Sequence, residues 1–97
     1  MITTFSSFEL SLAEDLPPPG LDARAQSLWY DAKGDWQQAH SFIQDEEGKD
    51  AARIHGYLHR KEGDASNARY WYSRAGCRFP DESLSAEWKN LVLQVLG

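Results

Sequence analysis

The chain has 97 residues, 15 acidic and 10 basic, for a net charge of −5; that length holds one domain with a modest core, and the acidic excess argues against a general attraction to nucleic acid or anionic lipid. No apolar run approaches the ~20 residues needed to cross a bilayer, and the amino terminus, with Glu9, Glu14 and Asp15 and no basic residue before Arg24, lacks the form of a signal peptide. The single cysteine, Cys77, cannot form an internal disulfide, so a soluble, cytoplasmic protein is expected, with neither nucleic acid nor membrane as partner.

Residues 1–20 read as an amino-terminal arm. Phe5, Phe8, Leu10 and Leu12 make it weakly apolar, and Pro17-Pro18-Pro19-Gly20 enforces an extended end. Leu21, Ala25, Leu28, Trp29 and Ala32 form the apolar face of a helix that Gly34 ends. Asp35 opens the next helix, with Gln38 placed for a reciprocal cap and Trp36, Ala39 and Ile43 facing inward beside Phe42. Asp45-Glu46-Glu47-Gly48 is a polar turn. Ala51, Ile54, His55, Leu58 and His59 then share one helix face, as do Ala65, Ala68, Tyr72 and Ala75 beyond the Gly63-Asp64 break. Gly63 suits a left-handed helix end and Asp64 a helix start, so the two segments predict a tight hairpin. Cys77 to Asp81 connects to a last amphipathic helix carrying Leu84, Trp88, Leu91, Val92 and Val95.

Displacing the sequence by 29 residues sets Gly34-Asp35 on Gly63-Asp64, Ala39 on Ala68 and Leu28 on Tyr57. The pattern predicts an all-α fold: two stacked helical hairpins forming a short α-solenoid over residues 21–97, closed by a carboxy-terminal capping helix. Two hairpins leave apolar surface that the cap, the arm or a second chain must cover, which predicts a homodimer.

Gly56, Gly63, Ala68, Tyr72, Ala75 and Pro80 fall where a tetratricopeptide repeat places small, small, small, aromatic, small and proline, and Trp71-Tyr72-x-Arg74-Ala75 resembles the ending of a Sel1-like repeat. The first hairpin keeps Tyr30, Gly34 and Ala39 of this pattern. The run IHGYLHRKEGD with NARYWYSRAG also resembles a family of small uncharacterised bacterial and fungal proteins, which implies no activity. The tetratricopeptide resemblance implies a protein-binding scaffold whose concave groove would carry Arg24, Leu28, Arg53, Tyr57, Arg60 and Lys61. Four cations around two apolar residues suit an acidic peptide or a carboxy terminus. His55 and His59 depart from the pattern, standing where such repeats place apolar or aromatic core residues.

Those histidines carry the alternative reading. His55 and His59 are one helical turn apart, and His40 on the preceding helix should face them, with Gln44 one turn further on. Three converging imidazoles predict a divalent metal site, with Glu62 the nearest further ligand, or a small-molecule pocket. The same spacing also fits core histidines bonded to backbone or hydroxyl groups. Tyr70, Trp71 and Tyr72 span nearly a full turn, so Tyr72 is assigned inside, and Tyr70 or Trp71 with Arg74 is available to stack on a ligand ring or to pack on the arm or Trp88. Arg74 and Arg78 near Cys77 would lower its thiol pKa, but no Cys-His dyad is evident. Phosphate loops, nucleophile elbows, paired Cys-x-x-Cys and dinucleotide fingerprints are missing, so nothing in the sequence argues for an enzyme.

Overall fold

The computed structural model describes residues 4–97 as six α-helices, with no strand among them. These are α1 (Phe5–Ser11), α2 (Ala23–Ala32), α3 (Trp36–Ile43), α4 (Lys49–Glu62), α5 (Ala65–Ala75) and α6 (Leu84–Leu96). Five of the six start in the same way: the side chains of Thr4, Asp22, Asp35, Asp64 and Ser83 each accept a hydrogen bond from the backbone N–H three residues on. This satisfies a donor that the first helical turn would otherwise leave unpaired. The expected reciprocal cap at Asp35 is half made. Gln38 N–H bonds to Asp35 Oδ1 at 3.1 Å, whereas the Gln38 side chain accepts from Ser41.

The 29-residue spacing is present in the backbone. Gly34 and Gly63 both take positive φ, +83° and +90°, and Asp35 and Asp64 follow with nearly the same unusual dihedrals, φ −106° and −93° with ψ 78° in both. The α2–α3 and α4–α5 pairs also make the most extensive helix contacts in the chain. None of the helices is long and apolar enough to cross a membrane among the described residues.

Helix α4 is the centre of the fold. Its residues Ala51, Ala52, Ile54, His55, Gly56, Tyr57, Leu58 and His59 are all buried, because α5, α3, α2 and α6 each pack on it. Gly56 sits against Tyr72 of α5 so closely that a Cβ there would lie 3.1 Å from the phenol ring. Within the residues expected to form an arm, Phe5–Ser11 is a helix that the sequence reading did not assign. Thr4 caps it, and the spacing of Phe5 and Phe8 turns both rings onto Trp88 of α6, with centroids 5.7 and 6.0 Å away. Phe8 is fully buried. Trp29 Nε1 donates to Ser11 Oγ and Lys33 Nζ to the carbonyls of Leu12 and Glu14, so the segment before the prolines is bonded to α2.

Two buried carboxylates fasten the far end of α4. Asp31 of α2 accepts from Tyr57 Oη at 2.7 Å and Lys61 Nζ at 2.9 Å. Glu87 of α6, wholly buried, accepts from Tyr72 Oη at 2.8 Å and Arg60 at 2.7 Å, and Arg60 also donates to the Glu82 carbonyl. Burial, followed by the neighbouring carboxylate, raises the pKa of both phenols, which keeps them as neutral donors. A buried carboxylate persists only where its lone pairs are satisfied in this way.

Candidate functional site

The groove implied by the helical-repeat resemblance is not an open surface. Leu28 is fully buried and Tyr57 nearly so, since α6 lies across α2 and α4 and Trp88 donates its Nε1–H to the Leu28 carbonyl. The four cations have partners within the chain. Arg24 pairs with Asp22 and Asp50, Arg53 with Glu82, Arg60 with Glu87, and Lys61 with Asp31. Helix α6 thus covers Leu28 and Tyr57, and its Glu87 is the partner of one of the four cations, Arg60.

The three histidines do converge. His40 is brought in from α3, and His55 and His59 are presented by successive turns of α4. One ring nitrogen from each lies within 4.8 Å of the others. His40 Nε2 and His55 Nε2 are 3.0 Å apart, and the His55 and His59 rings stack with centroids at 4.9 Å. Glu62, one turn after His59, accepts from His59 Nδ1 at 2.6 Å. An ionised carboxylate only accepts, so this contact places the ring proton on Nδ1 and turns the Nε2 lone pair away from Glu62. Asn67 Nδ2, on α5, lies 3.4 Å from that Nε2.

Two tryptophans wall the cluster. Trp36 stacks on His40 one turn along α3, with centroids 4.9 Å apart and planes 12° from parallel, and its Nε1 donates to the Leu58 carbonyl. Trp71 of α5 stacks on His55 at 3.8 Å, again at 12°. This apolar shell sets the electrostatics. Burial, then the neighbouring imidazoles, holds the His55 pKa down to about 4. Burial and then His59 lower that of His40, against a smaller upward pull from Glu62. Both rings are therefore neutral at pH 7, and in the 3.0 Å Nε2–Nε2 contact one ring donates its N–H to the lone pair of the other.

The other expected residues divide. Gln44 is exposed and lines a cleft beside the cluster. Tyr70 is 53% exposed, its hydroxyl accepting from Arg74. The Arg74 guanidinium lies 5.6 Å from the Trp71 ring centre, so Trp71 packs on His55 and Arg74, and Trp88 packs on α1 instead. The Cys77 thiol differs from expectation: burial pushes its pKa up, outweighing a downward pull from Arg53. Trp36 and Asn67 were not among the expected site residues. Trp36 was recognisable only as an inward-facing residue one turn before His40, and Asn67 carries no sequence signal, because its position depends on how α5 folds back on α4.

No protein-family model, no curated protein and no solved structure gives a significant match to this chain.

Proposed function

We propose that this protein binds a divalent transition-metal ion, zinc or a close neighbour, through His40, His55 and His59. The convergence of three ring nitrogens within 4.8 Å carries the reading. Zinc–nitrogen bonds of ~2.0–2.1 Å at tetrahedral angles set ligand nitrogens ~3.3 Å apart, so the cluster closes on an ion through small side-chain rotations. Imidazole nitrogen is a preferred donor for zinc, copper and nickel. Glu62 supports the same reading, because a carboxylate on the far nitrogen of a ligating histidine fixes its tautomer and raises its basicity. Trp36 and Trp71 supply the dry wall that strengthens charge–dipole attraction. Three protein nitrogens leave a fourth position of a tetrahedral ion to solvent or to a small ligand.

Calorimetric titration of chelator-stripped protein, prepared without a histidine tag, tests this. One equivalent of zinc is expected to bind, His40→Gln and His59→Gln each to weaken binding by more than about tenfold, and Glu62→Gln by about tenfold. Folded parent protein that takes up no zinc, cobalt or copper, or variants that bind as the parent does, would remove the proposal.

A further inference from the structure

A cleft of about 460 Å³ lies between the α3–α4 turn and the outer side of α5, within the size range of small-molecule sites. Its lining charges are of both signs. Asp45, Glu46 and Glu47 come from the turn, and Lys49 and Arg74 from the start of α4 and the end of α5. Among the described residues neither cation is within ion-pair distance of a carboxylate, and none of the three acids forms an ion pair, although Glu46 acts on Arg24 through space. Elsewhere Arg24, Arg53, Arg60, Lys61 and Arg78 have acidic partners, Lys33 donates to backbone carbonyls, and Arg69 and Lys89 lie over the rings of Phe79 and Phe5. Trp71, stacked on His55 with Arg74 over its ring, contributes an apolar surface to the same lining.

We propose that this cleft binds a small zwitterion of amino-acid to dipeptide size, its ammonium toward Asp45, Glu46 and Glu47 and its carboxylate toward Lys49 and Arg74. Opposite charges that share a cleft without pairing are complementary to a ligand bearing both signs in the reverse order. A guanidinium is suited to a carboxylate. An apolar side chain on the ligand gains contact with the indole. The proposal does not depend on the metal reading, although Trp71 belongs to the boundary of both places.

Calorimetric titration of the full chain with phenylalanine and glycyl-phenylalanine, beside their N-acetylated and C-amidated counterparts, tests it. Every series is run once with chelator and once with one equivalent of zinc, so that a failed metal site is distinguishable from an empty cleft. The zwitterion is expected to bind at least about tenfold more tightly than either blocked form. Arg74→Gln should abolish the penalty for amidation, and Glu46→Gln should reduce the penalty for acetylation. Both positions are exposed, so the variants should fold, and their thermal unfolding confirms it. Free and blocked ligands binding alike, or no heat up to about 10 mM ligand, overturns the proposal.

Discussion

Acid should weaken the fold through His55 before it protonates ordinary carboxylates. The ring is 5% exposed, faces the imidazoles of His40 and His59, and stacks on Trp71. Burial, then the imidazoles of His40 and His59, hold its folded pKa at about 4, against about 6.5 for a free histidine. Because the folded value is the lower one, the unfolded chain binds the proton first. The contribution is therefore complete above about pH 6.5 and is lost as the pH falls toward 4. Integrating that difference from about pH 7.5 to 5 gives a loss on the order of 2 kcal/mol. His40, shifted in the same direction, adds to it, and Glu62, which with Asp64 brings a carboxylate within 4.8 Å of a His59 ring nitrogen, opposes it through His40. Urea unfolding at a series of pH values, with chelator present to remove competition from metal, measures the loss. His55→Leu should flatten the parent's slope across this window. Parallel parent and variant curves, or a parent whose stability holds constant from about pH 7 to 5, would refute the burial argument.

Two further outcomes concern Tyr72. Gly56→Ala places a methyl 3.1 to 3.2 Å from three atoms of the Tyr72 ring, and that ring is held in place by Glu87. The clash should outweigh the ordinary gain of alanine in a helix, for a net loss of about 1 kcal/mol in urea unfolding, and a more stable variant would show that the ring yields. Tyr72→Phe leaves a lone pair of the buried Glu87 unmatched and should cost about 2 kcal/mol, recovered in part by pairing it with Glu87→Gln; a cost no greater than that of an exposed tyrosine would contradict the assigned bond.

The helices from α2 to α6 were legible because their apolar positions recur at helical spacing, and the starts of α2, α3, α5 and α6 carry Asp or Ser. Gly63 and Asp64 behave as their chemistry implies, and the register of α4 placed His55 and His59 on one side. Helix α1 was hidden by its length and by the prolines that follow it. What decides it is Trp88, more than seventy positions away. The cations were legible as charges, but whether they faced solvent depended on carboxylates remote in sequence. Arg60 and Lys61 were expected to line a groove, and only the return of α6 and the placement of Asp31 show them to be occupied. The histidine cluster was legible as a list of residues, and its shell was not, since Trp71 and Asn67 arrive through the turn at Gly63.

Adjacent residues Arg60 and Lys61 diverge to carboxylates on α6 and α2, and this bears on the order in which the chain leaves the ribosome. Asp31 is synthesised before Lys61, so that bond can form as soon as α4 emerges. Glu87 follows both in the chain. Until it emerges, Arg60 and Tyr72 lack the partner that satisfies them, and Leu28 lacks the Trp88 indole that covers its carbonyl. The helices up to Ala75 can thus assemble during synthesis before α6, which closes the interior, has been made.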